Sequence, residues 1–190
     1  MAKSLPTREQ LDAAMQTLYT EMGHLFAYWI WWTRAKPLLL KDEQFGENPT
    51  FLKFMQNSAV TTSLLALRKL NEFFKCRPPE NNERDDDLRA YDYGFSNTGM
   101  VLKPEDFQEL HKRIAHITYR EVDAGKVSYE IYYGVGLIMP KCLEFLEHVR
   151  TTLYRDMVEK QKEVQRFQMA LSGMRRKWED EKRKADKAPN

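Results

Sequence analysis

Apolar side chains recur every three to four residues over most of this chain, the spacing of helices with one buried face. Leu11, Met15, Leu18, Met22, Leu25, Phe26 and Trp29 form the first such stripe. Thr7 and Gln10 have the order of a capping box, with Pro6 just outside, so a first helix is predicted from Thr7. It should end near Lys36-Pro37, because proline disfavours helical geometry in the residue before it. A second helix is predicted from Pro49-Thr50 to about Phe74. Its middle, Leu64-Leu65-Ala66-Leu67, is apolar on nearly every side and should be central to the fold. A third starts at Pro104, a favoured first helical position, and runs through Arg120 with Phe107, Leu110, Ile114 and Ile117 as its core stripe. A break is predicted at Asp123-Ala124-Gly125-Lys126. Val127–Tyr133 fits either a short extended segment or a helical approach to Gly134. A last helix opens at Pro140, with Leu143, Leu146, Val149, Leu153 and Met157 on its stripe. Beyond Lys160, Val164, Phe167, Leu171, Met174 and Trp178 keep the period among many charges. This predicts a helical extension over 160–185, with Lys182–Asn190 frayed.

The expected fold is all-α: an up-and-down bundle of four to five helices over 1–158, followed by a long, charged helical C-terminal extension over 159–190. Scarce glycine and proline, eight of each, agree with long helices rather than a turn-rich β architecture. Residues 76–99 break the pattern with Arg77-Pro78-Pro79, Asn81-Asn82 and Asp85-Asp86-Asp87, the composition of an exposed connection. The aspartates lack the alternate spacing of a calcium loop and read as a solvated charge run. Tyr28, Trp29, Trp31 and Trp32 crowd four aromatics into five positions, more than one face of a regular helix holds. They form either a wide core face or a subunit interface.

Charge changes this picture little: 30 Lys and Arg against 28 Asp and Glu leave a net of +2. The excess is C-terminal, with 11 cations against 7 acids in residues 151–190, a net of +4. Arg175-Arg176-Lys177 and Lys182-Arg183-Lys184 flank Trp178, which would suit a nucleic-acid strand, but Glu179-Asp180-Glu181 balances them. Two cysteines, Cys76 and Cys142, form no framework, and Met1–Gln10 lacks the apolar centre of a secretory signal. The longest apolar run, Leu25–Trp32, is far shorter than the roughly 20 residues of a membrane span. A cytoplasmic protein with no membrane span is expected.

Candidate chemistry is concentrated in Lys112-Arg113-Ile114-Ala115-His116-Ile117-Thr118-Tyr119-Arg120. On a helix, Arg113, His116 and Arg120 fall within about 60° of one another, at the edge of the apolar stripe. An imidazole titrating near neutrality can move protons, and guanidinium groups can hold a phosphate. Metal-free RNA cleavage needs that inventory and no more. Arg68, Asn71 and Glu72 on the central helix, and Tyr119 beside the cluster, are candidates to bind substrate or orient the imidazole. The plainer alternative is an Arg68–Glu72 pair one turn apart and a half-buried His116 flanked by snorkelling arginines. No Gly-rich phosphate loop is present. His24, His111, His116 and His148 show no metal-ligand spacing with cysteine, so neither metal nor cofactor is expected.

Two segments resemble the HEPN superfamily, particularly its bacterial abortive-infection-type members. One is Ser63-Leu64-Leu65-Ala66-Leu67-Arg68-Lys69-Leu70-Asn71-Glu72-Phe73-Phe74, and the other is Arg113-Ile114-Ala115-His116-Ile117-Thr118-Tyr119-Arg120. The likeness covers roughly residues 10–155, with the variable loop between the two segments. It implies a small helical bundle, frequent homodimers with the motifs facing each other, and RNA as the partner. His116 matches the family histidine. In the family four to six residues separate the arginine from its histidine, which puts the arginine five to seven positions before it, where this chain has His111, Leu110 and Glu109; Arg113 stands only three before His116, so this motif departs from the ribonuclease pattern. Members of the superfamily also bind RNA or nucleotides, or act as scaffolds, without cutting. The resemblance therefore implies an RNA-directed defence or toxin protein, either a metal-independent endoribonuclease or an RNA binder. The alternative is a non-enzymatic helical dimerisation or interaction protein using the aromatic first helix and the basic C-terminal arm.

Overall fold

The computed structural model describes residues 6–42, 44–75, 88–106, 108 and 124–185. Among them there is no strand, and the protein is an all-α helical bundle. It divides into two compact units, Met1–Ile138 and Met139–Asn190.

In the first unit, α1 spans Arg8–His24 and opens with the expected box: Thr7 Oγ1 accepts from the Gln10 amide, and Gln10 Oε1 accepts from the Thr7 amide. The predicted single helix to Lys36 is broken at Leu25-Phe26, both fully buried. It resumes as α2 (Ala27–Ile30), a π-helical turn over Trp31–Ala35, and α3 (Lys36–Leu39). Pro37 therefore does not end the helix. The wider turn brings the Lys36 N–H to the Trp31 carbonyl, and exposed Pro37 continues from there. The same change of phase settles the aromatic cluster. Tyr28, Trp29 and Trp31 are buried, and only Trp32, 47% exposed, faces solvent with the Lys36 ammonium 3.8 Å from its ring centre.

Central α4 (Pro49–Phe73) matches its predicted bounds, with Asn48 Oδ1 capping the Phe51 amide. It packs against α1, α2 and the π turn. Leu64, Ala66, Leu67 and Leu70 on it are almost wholly buried. Buried Ser63 spans the break in the first helix: its hydroxyl accepts from the Tyr28 amide at 3.0 Å and donates to the His24 carbonyl at 3.2 Å.

The connection over 76–99 is less exposed than expected where it is described; residues 76–87, with the aspartate run, lie outside the described residues. Ala90–Tyr93 forms a 3-10 turn, and Ala90, Tyr93 and Phe95 are buried. Aromatic contact explains this: Phe73 meets Tyr93, and Phe74 meets Phe95, with ring centres near 6 Å apart. The Tyr93 hydroxyl also donates to the Leu11 carbonyl at 3.0 Å. Residues 104–106 are helical, so Pro104 does open a helix; its predicted course through Arg120 lies outside the described residues.

Helix α5 spans Ala124–His148, so the predicted break at 123–126 gives way to helix from Ala124, Val127–Tyr133 is helical, and Pro140 lies inside a helix rather than opening one. The carbonyl that Pro140 cannot bond belongs to Gly136, and both residues are exposed, so water can take up that carbonyl. Gly134 lies close against α4: a Cβ at that position would lie 3.0 Å from Leu67 Cδ1, so Leu67 would have to give way.

In the second unit, α5 passes into a π-helical turn over Val149–Leu153, and α6 spans Val158–Ala185. At 1.5 Å per residue, its 28 residues extend roughly 42 Å. Its buried positions, Val164, Leu171 and Trp178, are the centre of the predicted stripe. The helix also holds through 182–185, where fraying was expected; Arg183–Asp180 and Lys184–Glu181 pairs brace the last turns. No helix among the described residues is long and apolar enough to cross a membrane.

Candidate functional site

His116, Arg113, Tyr119 and Arg120 lie outside the described residues. The three candidates on α4 are described, and they divide. Arg68 and Glu72 are partly exposed and form the one-turn pair, Nε to Oε1 3.6 Å. Asn71 is fully buried. Its Oδ1 accepts from the amides of Val101 and Leu102 at 2.8 and 2.9 Å, while its Nδ2 has no partner among the described residues. Arg89 adds a second tie to this end of α4, donating from Nη1 to the Glu72 carbonyl at 2.8 Å. The chain that leads into the Arg113–Arg120 segment is thus fastened to the last turns of α4, just before the helical turn at 104–106.

A second constellation, in the C-terminal unit, was not among the sequence candidates. A cleft of about 350 Å³ is lined by Glu147, Arg150, Gln165, Gln168, Met169, Ser172 and Arg176. Three elements build it. Glu147 lies in the last turn of α5, and Arg150 stands in the π turn that follows. From α6 come Gln165, Met169, Ser172 and Arg176, which at 100° per residue share one stripe beside the buried Val164–Leu171–Trp178 seam.

The cleft has a fixed hydrogen-bonded floor. Arg150 grips Glu147 with two donors, Nε to Oε2 at 3.1 Å and Nη2 to Oε1. Gln168 Nε2 donates to Glu147 Oε2 at 3.3 Å and to the Leu143 carbonyl at 3.4 Å. The Arg150 hydrogen bonds hold the Glu147 carboxyl below the usual carboxylate range, against a smaller opposing effect of burial. Arg176 has no carboxylate partner among the described residues. The acids that balanced its neighbourhood in sequence are engaged elsewhere: Glu179 with Arg175, Asp180 with Arg183 and Glu181 with Lys184. Two guanidiniums against one carboxylate give the lining a net charge of +1.

The signal that could have revealed this cleft was present as Gln165, Met169, Ser172 and Arg176 at three- and four-residue spacing. It is easily passed over, because a polar stripe beside an apolar one is what any amphipathic helix shows. No cluster of metal-binding side chains occurs among the described residues. The only described cysteine, Cys142, is wholly buried, and burial pushes its thiol pKa far up, so it is no nucleophile. No family model matches the chain, and no curated protein or solved structure was found to match it.

Proposed function

We propose that this chain is an RNA-directed helical protein of HEPN type, acting as a homodimer in bacterial defence. In this reading His116 transfers protons during metal-free cleavage of RNA. One imidazole takes the proton of a 2′-hydroxyl, the hydroxyl oxygen attacks the adjacent phosphorus, and the leaving 5′-oxygen receives a proton from a second imidazole across the dimer. Arg113 and Arg120 neutralise the phosphate as charge develops on its oxygens. The products are a 2′,3′-cyclic phosphate and a free 5′-hydroxyl.

The observation that carries the reading is the junction at Asn71. The two segments that resemble the family are far apart in sequence, yet the chain entering the second is hydrogen-bonded to the first, through Asn71 Oδ1 and the Val101 and Leu102 amides. The all-α bundle is also the fold the resemblance implies. The test is cleavage of total cellular RNA in EDTA by wild type and by His116→Ala, with circular dichroism on both. Cleavage by wild type alone is expected. A folded wild type that leaves RNA intact contradicts the catalytic reading.

A non-enzymatic interaction protein is the second reading, and one observation favours it. Trp32, Leu38, Leu40 and Phe54 are 47%, 69%, 53% and 65% exposed in the first unit. If these side chains make the functional contact, Leu38→Ser with Phe54→Ser shifts the oligomeric state measured by sedimentation and leaves the helical circular dichroism of the folded protomer unchanged.

A further inference from the structure

We infer that the cleft between the π turn at Val149–Leu153 and α6 is a nucleotide-binding site that holds the phosphate of an RNA strand. The ligand class, RNA, rests on the reading above; the site itself does not involve the His116 chemistry.

Cations outnumber acids on α6, and the acids near Arg176 are taken by other residues, Glu179 by Arg175 at 2.8 Å among them. Arg176 instead stands on the cleft wall with its five donors uncommitted to any carboxylate among the described residues. Arg150 faces the same space and is held still by Glu147, so its fork is ordered before a ligand arrives. Two arginines, one fixed and one uncommitted, suit an oxyanion able to accept from several donors at once. Glu147 opposes an anion, but its charge is already met by Arg150 and by Gln168.

Size and the remaining lining argue for a nucleotide rather than a bare ion. About 350 Å³ lies at the lower end of small-ligand sites and exceeds what one phosphate needs. Gln165 offers a carboxamide that can both donate and accept, and Gln168, whose Nε2 is spent on Glu147 and Leu143, offers its Oε1 as an acceptor to a base edge. Ser172 adds a hydroxyl, and Met169, 67% exposed, adds an apolar surface for a sugar or base. The cleft lies beside the buried seam of α6, so a ligand there would rest on a firm wall.

Free nucleotides and RNA strands share this chemistry, and two probes separate them: uridine monophosphate and a short 2′-O-methyl oligouridylate that cannot be cleaved. Each is titrated into the full-length protein by calorimetry in EDTA, using wild type, Arg176→Gln and Arg166→Gln. Arg166 is an exposed cation of the same helix outside the lining, so its loss removes equal charge. The oligouridylate is expected to bind more tightly than the monophosphate. Arg176→Gln should weaken both at least tenfold, and Arg166→Gln less than twofold. Binding of the monophosphate with no gain from the strand would assign the cleft to free nucleotides. Equal losses in both variants, or a wild type that binds neither probe, would overturn the inference. Because the oligouridylate cannot be cut, the outcome is independent of whether His116 cleaves RNA.

Discussion

The two units of this protein treat their polar groups in opposite ways. In the N-terminal unit several are buried and tied to distant parts of the chain: Ser63 to His24 and Tyr28, Asn71 to Val101 and Leu102, Tyr93 to Leu11. In the C-terminal unit they are mostly exposed, and pairs such as Arg175–Glu179, Lys162–Glu159 and Arg183–Asp180 reach only three or four residues along one helix. The first arrangement fixes a unique fold, because each buried group is costly unless its one partner is in place. The second costs little to alter and leaves side chains such as Arg176 available to a ligand.

The largest effect should come from Asn71→Ala, which strips two buried amides of their acceptor. Destabilisation of about 3 kcal/mol is expected, seen as a lower denaturation midpoint with an unchanged slope. A loss below about 0.5 kcal/mol would mean that the loop at 101–102 finds another partner easily, and the contrast between the units would fail.

One substitution made in both units should change sign. Gly134→Ala places a methyl 3.0 and 3.1 Å from the two Leu67 Cδ atoms, and Leu67 is 1% exposed. Overpacking of about 1–3 kcal/mol should outweigh the gain in helix propensity. Gly173→Ala meets nothing within 4 Å, so the propensity gain stands alone. Stabilisation of up to about 1 kcal/mol is expected there. Thermal melts of the two variants give the comparison directly, and shifts of the same sign would contradict it.

The smallest effect concerns pH. Hydrogen bonds from Arg150 hold the Glu147 carboxyl below its ordinary range. A lowered carboxylate pKa stabilises the fold above the unfolded value of about 4.3, and this is lost as pH falls through the lower, folded-state value. In Arg150→Gln the Glu147 titration, followed by carboxyl NMR, should move up in pH. An unmoved midpoint would show that Arg150 does not order the cleft floor.

Legibility in the sequence follows the same division. Helix α6 was readable because its period, its charges and its ion pairs are all local. Helix α4 was readable because a proline marks its start and its middle is apolar on nearly every side. The first helix was only half readable. Thr7 and Gln10 announce its beginning, but its break at Leu25-Phe26 is secured by Ser63, far along the chain. Both proline errors have one cause. Pro37 and Pro140 look like boundaries, yet a π turn before one and an exposed Gly136 before the other make each tolerable inside a helix. At the site, spacing placed Arg68 and Glu72 one turn apart, and they do pair. Asn71 is a polar side chain on the central helix, and its Oδ1 accepts from the amides of Val101 and Leu102, partners that no local spacing displays. The cleft needs α5, a π turn and α6 together, so no single stretch of sequence displays it.

The most direct test of the account is RNA incubated with wild type and with His116→Ala in EDTA, analysed for both cleavage and retained complex. The account predicts 2′,3′-cyclic phosphate ends with wild type and, with His116→Ala, intact RNA held in a salt-sensitive complex. A folded wild type that neither cuts nor retains RNA would contradict it.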